Sequence, residues 1–215
     1  MGGHLHQPLP VSSPVNSASD ITSAEVIQFW QYMQSQYHFT VINKADSTAM
    51  QLVSKLLSLL GIVNQTVFQQ QFTTTIGQRI YVPFTVGVPD SNCSLWDQVE
   101  VCTHECQHIH QYLQSGATEF AWNYVTDHVR RAQYEAEAYF CNLELWWWRC
   151  RYLLNCTALA GLLNNYGCTA TDIAVTAKRL QLSGLSVKTG AVVQFASHSA
   201  LTWLNHNVPR LHATG

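Results

Sequence analysis

His104-Glu105-Cys106-Gln107-His108 constrains this chain more than any other stretch of its sequence. Two histidines four residues apart come to the same side of an α-helix, where they can grip one Zn²⁺. The glutamate beside the first is placed to take a proton from a water on that metal. The pattern therefore asks for a helix, and the flanking residues supply one. Ser94-Leu95-Trp96-Asp97 reads as a capping box, with Asp97 in place of the usual Glu. At about 100° per residue, Val99, Cys102, Cys106, Ile109 and Leu113 gather on one face. His104 and His108 lie opposite, with Asp97 and Gln111. Such a helix has an apolar back for a core and a histidine front for something else. His110 points to another side and is not expected as a ligand. Cys106, close to the apolar face, is read as packing.

A zinc site of this kind needs a third protein ligand and keeps one position for water or substrate. The segment Arg130 to Tyr139 offers two glutamates, and helical phase separates them. Glu135 shares its face with His128, Arg131, Tyr139 and Asn142, a polar stripe on an otherwise aromatic helix. Glu137 points nearly opposite, alongside Arg130, Gln133 and Glu144, which reads as a solvated face. Glu135 is the expected ligand. Tyr139, His128 and Arg131, sharing its face, are the candidates for stabilising charge in a reaction, with Glu105 as general base. Asp127 or Asp97 is expected to orient a ligand imidazole from behind.

These residues, over about 94 to 142, resemble the gluzincin metallopeptidases, in which H-E-x-x-H is completed by a glutamate from the next helix. Thermolysin-like members have Asn before that glutamate, where this chain has Tyr134. The spacing Glu135-x-x-Ala138, some 26 residues beyond His108, is more similar to the compact ImmA/IrrE-like and M48-like branches. Those carry Asn or Asp where this chain has Tyr139. The Tyr134-to-Tyr139 context also resembles peptidases encoded by bacteriophages. The resemblance implies a zincin-like core, one Zn²⁺ held by His104, His108 and Glu135, and hydrolysis of a peptide or protein substrate. It further implies an edge strand before the motif helix, and Ile80 to Val86 sits where such a strand belongs.

The rest of the chain reads as a helix-dominated α+β domain with a small sheet. Residues 1–20, rich in Pro, Ser, Gly and Asn, are expected to be a flexible tail, with His4 and His6 on solvated surface. Residues 21–215 are expected to form a single domain. Helices are predicted at 23–37, with Ser23 as N-cap, and at 48–60. A β-like region follows at about 70–88, where Pro83 places the strand at a sheet edge or on a bulge. Beyond Leu95 the spacing predicts helices at about 95–114, 118–154, 157–165, 170–182 and 189–205, with breaks at Gly184 and Gly190. The Leu145-Trp146-Trp147-Trp148 run fans around its helix, so it is expected to pack against neighbours rather than form one flat platform.

A formal charge of −2 on 215 residues gives no electrostatic case for nucleic acid. The longest apolar stretch, Leu56 to Val63, is too short to span a bilayer, so no membrane insertion is expected. With seven cysteines, no CxxC pair and no signal peptide in view, free thiols and a cytoplasmic location are expected. The sequence thus points first to a zinc-dependent metallopeptidase. The alternatives are a non-catalytic structural or assembly protein, virion-associated in one version, with zinc as a staple, and a metal-free helical interaction domain in which the motif is fortuitous. Substrate identity and oligomeric state stay open, as does any role for His198, His206 and His212.

Overall fold

The computed structural model describes residues 20–47 and 73–213. The predicted helix at 48–60 lies outside these residues, as does the predicted tail up to residue 19. Helix α1, Ser23–Tyr37, is capped by Thr22, one residue before the expected cap Ser23. Thr22 takes the Glu25 backbone N–H on its side chain, and the Glu25 carboxylate answers to the Thr22 backbone. Its buried face is Val26, Phe29, Trp30 and Met33, spaced for one helical stripe.

Three short strands follow, β1 (Thr40–Asn43), β2 (Thr74–Ile76) and β3 (Arg79–Val82). The sheet order is β1-β3-β2, with β1 parallel and β2 antiparallel to β3. This corrects the expectation for Ile80 to Val86: the strand there is central, not an edge. Pro83 acts by ending the strand at Val82, so the missing N–H falls just outside the ladder. Gly77, at φ +60°, supplies the left-handed backbone of the β2–β3 turn.

Helix α2, Leu95–Ser115, carries the histidine pair and opens with the Ser94–Asp97 capping box, as expected. Every residue from Gln98 to Ile109 is buried. Helix α1 covers one side, the later helices cover others, and β2 touches it as well. The helix is therefore not two-faced. Its histidine front is as dry as its apolar back, and Leu113 at the far end is exposed.

The predicted long helix over 118–154 is two, α3 (Ala117–Thr126) and α4 (His128–Cys150). Asp127 separates them. Its backbone is extended and its carboxylate accepts the Val129 and Arg130 N–H groups, a new N-cap in mid-segment. Short α5, Cys156–Gly161, leads through a 3-10 turn to α6, Ala170–Lys188, and then α7, Phe195–Asn207. Gly184 does not break α6. It lies inside the helix at the point of contact with Leu153, whose Cδ2 is 2.8 Å from where a Cβ would sit. The tryptophan run fans as expected. Trp146 meets Tyr152, Trp147 lies under the Arg151 guanidinium, and Trp148 stacks between Trp96 and His212.

The described residues form a helix-dominated α+β structure with one small sheet, and none of their helices is long and apolar enough to cross a membrane. All seven cysteines are free, five of them buried.

Candidate metal centre

Helix α4 packs along α2, and this contact brings Glu135 to the histidine pair. His104 Nε2 and His108 Nε2 are 3.1 Å apart. Glu135 Oε2 is 3.5 Å from the first, and Oε1 is 3.5 Å from the second. All three side chains are sealed from solvent. Together they form a buried group able to hold a metal ion. Tetrahedral coordination with ordinary zinc–nitrogen distances would set two ligand nitrogens about 3.3–3.4 Å apart, close to the spacing seen.

The chemistry behind the rings tests that fit. His104 Nδ1 is 3.2 Å from Asn142 Oδ1, and His108 Nδ1 is 2.8 Å from Gln111 Oε1. The Gln111 amide is fixed from its other end by a backbone carbonyl, and the Asn142 amide is oriented by Glu100. Asn142 Nδ2 donates to Glu100 Oε2, while Gln111 Nε2 donates to Tyr134 O and Glu137 Oε2. Both amide oxygens can only accept, so both rings carry their proton on Nδ1. Two Nε2 atoms and a carboxylate then converge on one buried point, an arrangement that could hold a cation. Burial opposes charge on His108, yet the Glu135 carboxylate, with Glu105 and Gln111, holds its basicity above the ordinary histidine value.

Glu105 lies beside this group and is also fully buried. Thr75 of β2 donates its hydroxyl to Glu105 Oε2 at 2.5 Å. Oε1 is buried and makes no hydrogen bond among the described residues. Burial raises the carboxyl above its usual range, against the lowering pull of His104, His108 and the Thr75 hydroxyl. Lys44, directly after β1, is also buried. Desolvation brings it down to about 7, and the Glu105 carboxylate works in the opposite direction.

Of the other expected residues, Tyr139 is placed at the centre and His128 is not. The Tyr139 ring stands edge-on to His104 at 5.2 Å. His128 sits two turns away on α4, half exposed, with Nδ1 2.7 Å from Asp172 Oδ2. It is committed to the start of α6 rather than to the cluster. Arg131 is equally committed, donating to the carbonyls of Tyr124, Val125 and Tyr166. Neither Asp97 nor Asp127 reaches a ligand ring, because each caps its own helix. His110 stacks on Phe195 and lies outside the ligand group, and Cys106 is buried in the core, where it was expected to pack. Glu137 is not a freely solvated side chain, since it accepts from Gln111 and from Arg179. Glu144 is buried, its Oε1 taking the Val193 and Gln194 N–H groups.

Four contributors were missed. Asn142 and Gln111 had been placed on the right faces, and their amides at i+7 from Glu135 and i+3 from His108 were the available signal. Tyr124, whose hydroxyl donates to Glu135 Oε1 at 2.8 Å, and Thr75 had none, because each reaches the site through a chain reversal. Compared with family models, with curated proteins and with solved structures, the chain gives no match.

Proposed function

We propose that the chain is a zinc-dependent hydrolase acting on peptide or related amide bonds, with a zincin-like core around α2 and α4. The observation that carries this reading is Glu105, a buried carboxylate that belongs to the cluster's surroundings without being one of its three ligands. One oxygen is tied to Thr75, and the other makes no hydrogen bond among the described residues. A buried carboxylate oxygen in that state is costly, and a site that served only as a staple has no use for it.

His104, His108 and Glu135 would hold Zn²⁺, which suits two imidazoles and a carboxylate and would supply Lewis acidity and a more acidic water. The remaining work falls to this chain's side chains. Glu105 Oε1 takes the proton of the attacking water and returns it to the leaving amine. The Thr75 hydroxyl holds Oε2 and so keeps Oε1 as the basic atom. Asn142 and Gln111 keep the two imidazoles in the tautomer that ligates. Tyr124 fixes the angle of Glu135, and the Tyr139 ring walls the His104 side.

The complete burial of the four central side chains favours a second reading, a zinc-stapled structural or assembly protein. One experiment separates the two. Untagged protein purified without chelator is assayed for zinc by mass spectrometry and for hydrolysis of an internally quenched peptide library. The enzyme reading expects about one zinc per chain. It also expects cleavage that disappears in Glu105→Gln while zinc and fold remain. Zinc without cleavage in either protein assigns the staple, and absence of zinc uptake removes both readings.

A further inference from the structure

The C-terminal half of α4 forms one wall of a second feature, a cleft of about 380 Å³. Arg151, on its edge, lies sixteen residues past Glu135, about 24 Å along the helix, so the cleft is separate from the metal centre. Small-molecule sites begin at about 300 Å³, and this cleft is large enough to be one. A single stripe of α7, His198, Leu201, Thr202 and Asn205, also lines it, at the i, i+3, i+4, i+7 spacing that turns all four the same way. Val187, Gly190, Ala191 and Val192, around the end of α6, line it as well.

The lining combines an apolar floor with N–H donors at its edge. Trp147 and Leu201 contribute the apolar surface. Arg151 holds a left-handed backbone, φ 54°, at the C-cap of α4, a position where glycine is the usual choice. Its guanidinium lies 5.9 Å over the Trp147 ring, and Nη2 contacts His212 Nε2 at 3.3 Å. A guanidinium can only donate, so His212 Nε2 is the acceptor, and partial burial, followed by the Arg151 charge, holds His212 below its ordinary basicity. Among the described residues the guanidinium has no carboxylate partner, which leaves a planar fork of donors over an aromatic surface. Asn205 Oδ1 accepts from Trp148 Nε1 at 2.8 Å, so its Nδ2, a donor, is the polar atom it can offer to a ligand. Glu144 is the one carboxylate in the lining. Its Oε1 is engaged by the Val193 and Gln194 N–H groups, while its Oε2 is buried and has no hydrogen bond among the described residues, and burial raises the carboxyl to about 7.

We propose that this cleft binds a small molecule with an apolar or aromatic body and a terminal carboxylate. The carboxylate pairs with the Arg151 fork and the Asn205 amide, and the body lies against Trp147 and Leu201. No metal enters this recognition, so it stands apart from the hydrolase reading.

The test is a titration of the full-length ¹⁵N-labelled chain with sodium 4-phenylbutyrate and, separately, with its uncharged analogue 4-phenylbutanamide. The acid is expected to give saturable shifts at the Trp147 and Trp148 indole N–H, the Asn205 side-chain amide and the Arg151 backbone. The amide should bind about tenfold more weakly or worse, as loss of a charge-assisted hydrogen bond predicts. Arg151→Gln should erase the difference between the two probes. Leu201→Trp, which fills the cleft, should abolish binding of both. Absence of saturable shifts, equal binding of acid and amide by the unmodified chain, or shifts mapping elsewhere would each overturn the proposal. The two-probe comparison needs no variant, so a folding defect in either substitution leaves the test intact.

Discussion

His104 Nε2 and His108 Nε2 stand 3.1 Å apart, and behind each ring a side-chain amide oxygen takes the Nδ1 proton. The two amides are unrelated in origin. Gln111 lies on the same helix as the pair, and Asn142 comes from α4. Each acts only by fixing a tautomer and a ring angle. Asn142→Ala and Gln111→Ala are therefore expected to weaken metal binding by about 10–100-fold each while leaving the ligands in place. Competition with a chromophoric zinc chelator measures this, and unchanged affinity in both would remove the tautomer argument.

Glu135 and Glu137 differ by two residues and by role. Glu135 faces both imidazoles, whereas Glu137 touches the centre only through Gln111. Glu135→Ala should abolish stoichiometric zinc, and Glu137→Ala should cost a small factor. Tyr124→Phe should fall between them, since it frees one Glu135 oxygen from its donor. Zinc content after dialysis orders the three, and a larger loss from Glu137→Ala than from Glu135→Ala would reassign the ligand.

Glu100 gives the fold a pH dependence whose sign is fixed. Burial first, and then the nearby Asp97 charge, push its carboxyl from an ordinary 4.5 to about 8, while the Asn142 hydrogen bond lowers it. Between those two values the native state binds more protons than the unfolded chain, so this residue's contribution to stability declines as pH rises. Below pH 4.5 both states are protonated and the contribution is at its full value. Glu100→Gln keeps an oxygen for Asn142 and removes the titration. Urea unfolding across pH 5 to 8 should show a shallower loss of stability for the variant, and parallel curves would exclude Glu100 as a source.

Gly87 is a local test of the packing that seats α2. At φ +81° it has a left-handed backbone, its N–H donates to Gln98 Oε1, and an added Cβ would come within 2.6 Å of Ile27 Cγ1 and 3.0 Å of the Ser23 carbonyl. Gly87→Ala is expected to destabilise the protein by about 1–3 kcal/mol. Thermal or urea unfolding checks this, and a neutral result would mean that the loop shifts without disturbing Gln98.

What could be read from the sequence divides along physical lines. Helical phase is local information. It was enough to pair His104 with His108, to prefer Glu135 to Glu137 and to set aside His110 and Cys106. The cap at Asp127 was also local, yet the aromatic run beyond it made residues 118–154 read as one helix. Losing that break hid Tyr124, which the reversal folds back onto Glu135. Phase could show that the histidine front was polar, but not that α4 would seal it. Burial is a property of the second surface, and nothing along α2 specifies it. His128 failed for a related reason: it shares the face of Glu135, but two turns along α4 bring it to Asp172 instead. The strand at Arg79–Val82 was correctly recognised as extended, and its central place depended on partners that spacing cannot reveal.

Gln111 accepts from the imidazole of His108 and donates to Glu137, which in turn accepts from Arg179 of α6. A single relay of polar groups thus runs from the buried centre to a helix on the outside of the molecule. Gln111 is held a second time by the Tyr134 carbonyl on α4, which does not depend on α6. Undocking of α6 would therefore cost the relay its outer link at Glu137 while the amide behind His108 kept its place, so the periphery can open without disturbing the buried centre.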